Sequence, residues 1–120
     1  MKFPDDGLIL VLKEDCPTCR LIETVATELQ QRGDLKAIYS QDNPAFPAGL
    51  DVADDGKLEA SFHLGTDIVP TLIRREDGRE TARVIGWHRG EWQNITGVND
   101  LGCDLPDERP GCGSLSVAPG

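Results

Sequence analysis

The chain has 120 residues, with 21 acidic side chains against 12 basic ones and a formal net charge of −9. That length predicts one domain with a core of its own, and that charge argues against nucleic acid or an anionic membrane surface as a partner. No stretch is long and apolar enough to span a bilayer, and the opening Met1-Lys2-Phe3-Pro4-Asp5-Asp6-Gly7 lacks a signal peptide's cleavage site, so the expected compartment is the cytoplasm, where cysteines are catalytic or free rather than structural.

Leu8-Ile9-Leu10-Val11-Leu12 is an apolar run without alternation, the pattern of a strand buried on both faces. Lys13-Glu14-Asp15 ends it, and Cys16-Pro17-Thr18-Cys19 follows at once. From Pro17 the apolar residues Ile22, Val25, Ala26 and Leu29 fall on one helical stripe, with Gly33 placed as a C-terminal cap, so a helix is predicted from about Pro17 to about Arg32. Pro17 suits its first position. Cys16 then takes the N-cap, where free N–H groups and the helix dipole favour a thiolate, and Cys19 lies one turn further in. The adjacent charge of Asp15 opposes that effect, and Glu14 and Asp15 are the candidate modulators of thiol ionisation and proton transfer.

Leu35 to Ser40 reads as a second strand, parallel to the first through a right-handed crossover. Asp42 to Gly49 is a loop, rich in proline and glycine. A helix is expected from Lys57 to about Leu64, stopped by Gly65. Ile68-Val69-Pro70-Thr71-Leu72-Ile73-Arg74-Arg75 is a strand with a proline at its entry, and Glu76-Asp77-Gly78-Arg79 turns it into an antiparallel partner, Glu80 to Ile85. A short helix from Arg89 to about Ile95 carries Trp92. From Gly97 onward the composition predicts loop or linker. The expected organisation is therefore a domain over residues 1–97 and a Gly/Pro-rich tail over 98–120, with Cys103 and Cys112 in the tail as an internal staple, as an exchangeable thiol at Cys112, or as unpaired residues.

A C-x-x-C pair serves redox exchange, forms half of a metal site, or is inert. The strand before it and the capped helix after it favour redox. A metal site would need two more ligands at workable spacing, which His63, His88, Cys103 and Cys112 do not offer in sequence, so the expectation is no metal and no cofactor beyond a Cys16–Cys19 disulfide.

Cys16-Pro17-Thr18-Cys19 and Ile68-Val69-Pro70-Thr71-Leu72, at the family's distance from one another, together with Gly78 and Gly86, resemble the thioredoxin-like family over residues 5 to 97. The resemblance implies an α/β fold with a central mixed sheet of four to five strands and helices on both faces. It implies Cys16 as attacking thiol, Cys19 as resolving thiol, and Pro70 in cis beside them, baring the Val69 backbone for an extended substrate. The chain departs from typical members in having Asp15 before the first cysteine and Pro17-Thr18 between the two, and in having leucine near position 10, where they carry a buried acid. Basic residues for glutathione's carboxylates are limited to Lys13 and Arg20. The activity this implies is thiol–disulfide exchange with protein dithiols and disulfides, with a reductase or a fused domain as further candidate partners. The alternative is a non-catalytic thioredoxin-like binding module of a larger protein.

Overall fold

A computed structural model describes residues 1–116. Strand β1 (Gly7–Leu12) is buried at every residue, and zero exposure from Leu8 through Leu12 shows that both of its faces are covered. It occupies the middle of a five-stranded sheet. On one side it pairs in parallel with β2 (Leu35–Ser40), which pairs in parallel with the two-residue β3 (Ala53–Asp54). On the other it pairs antiparallel with β5 (Thr71–Glu76), which forms a hairpin with β6 (Arg79–Ile85). The order β3-β2-β1-β5-β6 makes a mixed sheet, and the fifth strand is β3, from the stretch between the predicted loop at 42–49 and the predicted helix at 57–64.

The helix predicted over 17–32 is two helices, α1 (Pro17–Leu21) and α2 (Glu23–Arg32), separated at Ile22. Ile22 leaves helical geometry with ψ 11°, and its N–H reaches back to Thr18 O at 3.2 Å. Its side chain is fully buried. The apolar stripe therefore survives the break: Ile22, Val25, Ala26 and Leu29 all enter the core. Gly33 caps α2 in the left-handed region, as its position predicts.

Helix α3 is shorter than expected, Glu59–Leu64. The buried Asp55 caps its start, accepting from Ala60 N–H at 2.8 Å and from the Ser61 hydroxyl at 2.6 Å. The predicted strand through Pro70 is also divided. Residues Ile68–Val69 form β4 outside the main sheet, the Val69–Pro70 peptide is cis, and β5 starts at Thr71. Beyond the hairpin come β7 (Trp87–His88) and α4 (Arg89–Thr96). Among the described residues no helix is long and apolar enough to cross a membrane.

The largest departure from expectation is the tail. Over 98–116 it is not a detached linker but a strap fastened to the body at several points. Leu101 is fully buried. The Trp87 indole N–H donates to Pro106 O at 2.7 Å, and Arg89 donates to Gly102 O at 3.2 Å and to Leu105 O while pairing with Asp107 at 2.8 Å. Strand β8 (Glu108–Arg109) then pairs with β7, and β9 (Cys112–Gly113) pairs with β4, both antiparallel. Composition misses this because the strap contributes few apolar side chains; it is held through its backbone carbonyls, which every residue carries.

Two glycines allow the close fit. A Cβ on Gly102, which has φ +66°, would stand 2.5 Å from the Trp87 ring, and one on Gly111 would stand 2.4 Å from Val69 O. No side chain larger than hydrogen fits either place without moving its neighbours.

Candidate functional site

The site starts with the loop between β1 and α1. Asp42, just after β2, accepts the N–H of Glu14 at 2.7 Å and of Asp15 at 2.9 Å with its two carboxylate oxygens. Burial alone would raise its pKa, but these backbone bonds and that of Asn43 outweigh burial and hold Asp42 below the usual carboxylate value. The Glu14 carbonyl accepts from the Arg20 guanidinium at 2.7 Å and from Cys16 N–H at 2.8 Å. What Glu14 and Asp15 supply to the site is thus mainly backbone: the Glu14 carboxylate is engaged by Asn43 at 3.2 Å, and Asp15 is exposed.

Cys16 is the N-cap of α1, with Pro17 at the first helical position, and its sulfur accepts the Cys19 N–H at 3.3 Å. The helix behind it is only five residues long, so the thiolate is favoured by the local N–H groups of the first turn rather than by a long aligned dipole. Both sulfur-bearing residues of the pair are fully buried, and all four cysteines are free thiols.

The two thiols of the pair differ in their readiness to ionise. Burial works against the Cys16 thiolate, yet hydrogen bonds from the Cys112 thiol, from Cys19 and from the Thr18 backbone outweigh it and place Cys16 below the ordinary thiol value. Burial pushes Cys19 strongly upward; a backbone hydrogen bond from Lys13 resists, and the neighbouring Cys16 adds to the rise. Cys112 is also raised, by burial and then by Cys16. These directions give a pH test. The alkylation rate of Cys16, resolved peptide by peptide, should rise with a midpoint below that of an unperturbed thiol. Removing the Cys112 donor with Cys112→Ala should move that midpoint up; a wild-type midpoint at or above the free value would contradict this picture.

Val69 stands against the pair. Its carbonyl lies 3.7 Å from the Cys16 sulfur and accepts the thiol proton when that is present. Sequence reasoning expected the Val69 backbone to be bare, and here the structure corrects it: Val69 is the ladder partner of Cys112. The Thr18 hydroxyl, also buried, donates to Pro110 O at 2.6 Å, and the Lys13 ammonium donates to Gly113 O at 2.8 Å. Further along, buried Gln41 donates to the Ser114 hydroxyl at 2.6 Å and accepts the Leu115 N–H at 3.0 Å. The basic groups near the pair are thus committed, Lys13 to the strap and Arg20 to the loop.

The structure therefore brings together Cys16, Pro17, Thr18, Cys19, Val69 and Pro70, with Glu14 and Asp15 at the rim. To these it adds residues that sequence reasoning did not place there: Asp42 under the loop, Gln41 as a clamp, and Pro110-Gly111-Cys112 across the top, while Lys13, read from the sequence as a basic group near the pair, clamps the strap. Among the described residues, no group of three or more His, Cys, Asp or Glu is arranged to hold a metal ion. Cys103 lies exposed on the strap. No protein-family model matches the sequence, and no curated protein matches it significantly.

Proposed function

We propose that the chain is a thioredoxin-like thiol–disulfide oxidoreductase acting on protein disulfides through Cys16 and Cys19. The observation that carries this reading is the placement of the Cys16 sulfur. It sits at the N-cap of α1, hydrogen-bonded by Cys19 N–H, with the Val69 backbone on its other side. The mixed sheet, with the C-x-x-C helix following its central strand and the Val69–Pro70 segment facing it, is the arrangement that the thioredoxin-like resemblance implies.

In the reductive direction the Cys16 thiolate attacks one sulfur of the substrate disulfide, forming a mixed disulfide and expelling the other sulfur as a thiolate, which takes up a proton. Cys19 then loses its proton and attacks the Cys16 sulfur. The second substrate thiol leaves, and the pair is left as a disulfide. Two of the influences that raise Cys19 come from Cys16. Both weaken once Cys16 is bonded to substrate and carries no charge, so the resolving thiol ionises more readily at the step that needs it. With leucine rather than an acid on β1, fully buried at Leu10, the proton passes to the departing thiolate or to water. Dithiothreitol, a small reductant, serves in place of the cellular one for the assay.

Cys16→Ser should reduce insulin disulfide reduction, followed by turbidity with dithiothreitol as reductant, to the rate of dithiothreitol alone. Full turnover in Cys16→Ser would exclude the mechanism. A wild-type chain that also gave only the background rate would point instead to a partner-docking module, the reading that a cleft already filled by the chain's own strap favours.

A further inference from the structure

The third cysteine of the cleft has no part in the two-thiol cycle. Cys112 lies on β9, directly across the ladder from Val69, whose carbonyl is 3.7 Å from the Cys16 sulfur. The strap is anchored on both sides of it, by Thr18 at Pro110 and by Lys13 at Gly113. Glycines flank it at 111 and 113. Cys112 is thus held against the Val69 backbone that faces the Cys16 sulfur, in the place where an extended substrate would lie. Unlike Cys19, Cys112 is only partly buried.

We propose that Cys112 is a second resolving thiol, which closes mixed disulfides of Cys16 with small or unfolded substrates into an internal Cys16–Cys112 disulfide. The proposal rests on the oxidoreductase reading. For a substrate R–S–S–R, the Cys16 thiolate first forms Cys16–S–S–R and releases one R–SH. Cys112 then gives up its proton and attacks the Cys16 sulfur. The Cys16–SR bond breaks, the Cys16–Cys112 bond forms, and RS⁻ takes a proton to become the second R–SH. The substrate has gained two electrons and the protein has lost two. Cys19 can afterwards attack Cys16, moving the bond to Cys16–Cys19 and freeing Cys112.

The internal disulfide ties the strap over the pair. Any substrate reaches the buried Cys16 only as the strap opens; a bulky folded substrate holds it open and keeps Cys112 away from Cys16, leaving Cys19 to resolve the mixed disulfide, whereas a small adduct lets the strap reseat. The two resolving thiols thereby divide the substrates by size.

The test uses hydroxyethyl disulfide on the full chain carrying Cys19→Ser and Cys103→Ser, which keeps only Cys16 and Cys112. The expected product has lost two hydrogens and yields a peptide joining Cys16 to Cys112. Adding Cys112→Ser should preserve the hydroxyethyl adduct at least ~10-fold longer, the advantage of a tethered over a free thiol. Equal adduct lifetimes in the two variants, both folded by circular dichroism, would overturn the proposal. Should the variants not fold, acid-quenched wild-type protein decides: a Cys16–Cys112 peptide during the reaction supports it, and Cys16–Cys19 alone overturns it. Because this readout needs no protein substrate, its failure alongside Cys16-dependent insulin reduction rejects only the role of Cys112. Failure of the Cys16→Ser insulin test rejects the underlying reading.

Discussion

Gly111→Val should open Cys16 to alkylation, raising the iodoacetamide rate at that residue by about 10- to 100-fold at constant pH. Cys16 is fully buried, so in the closed protein its reaction waits on a local opening, and the rate follows the free energy of that opening. The strap is what must open. Its hold over the pair consists of the hydrogen bonds of the short β4–β9 ladder, the Thr18–Pro110 and Lys13–Gly113 bonds and, further along, those of Gln41 with Ser114 and Leu115, with a net worth of ~1 kcal/mol for each hydrogen bond.

A branched side chain at 111 cannot coexist with that arrangement. Its Cβ would fall 2.4 Å from Val69 O and 2.5 Å from Ile68 Cγ2. The nearer of these is backbone in β4 and cannot rotate away. Losing two of the bonds amounts to ~2 kcal/mol, about 30-fold at ~1.4 kcal/mol per factor of ten, which lies inside the stated range. Mass spectrometry of the Cys16 peptide measures it. An unchanged rate in folded Gly111→Val would mean that the strap does not guard the thiol.

Trp87→Ala should lower the unfolding free energy by about 3–5 kcal/mol, the range for deleting a large buried aromatic side chain. Trp87 is 1% exposed and meets Trp92 edge-on with ring centroids 5.1 Å apart. Gly102 packs directly against its ring, and its N–H holds Pro106 O. The substitution therefore leaves a cavity between α4 and the strap and an unpaired carbonyl at Pro106. Urea unfolding measures the loss through the midpoint, with the slope reporting how much surface the variant still buries. A loss under ~1 kcal/mol would show that the cavity collapses or that this side of the core contributes little. Gly111→Val should behave differently, with a large change in reactivity and a small one in global stability, because it acts only where the strap crosses the pair.

The parts of this architecture that the sequence revealed are those whose causes are local. Five consecutive apolar residues at 8–12 marked a doubly covered strand, Pro17 and Gly33 marked the limits of the helical stretch, and Asp77-Gly78 marked the hairpin. The same local signals placed Cys16 at an N-cap. What they could not reveal depends on residues distant in sequence. Ile22 carries no local signal for the break there: it is no glycine or proline, and its side chain is fully buried on the same stripe as its neighbours. Asp42 reads as an ordinary loop residue and Gln41 carries no signal; only the fold brings their side chains to the backbones of Glu14, Asp15 and Leu115. The strap was the hardest to foresee, since Pro106 and Pro110 are bound through carbonyls, which no hydropathy pattern registers. Leu101 alone carried a signal, a single buried aliphatic within a polar run.

The pairing of Ile68–Val69 with Cys112–Gly113 also bears on how the protein behaves in concentrated solution. A short apolar segment with unsatisfied N–H and C=O groups is an adhesive rim, apt to zip onto the same rim of a neighbour. Folding the strap back over it blunts that rim from within. Chains whose strap has been pried loose should then self-associate more readily than those in which it is seated.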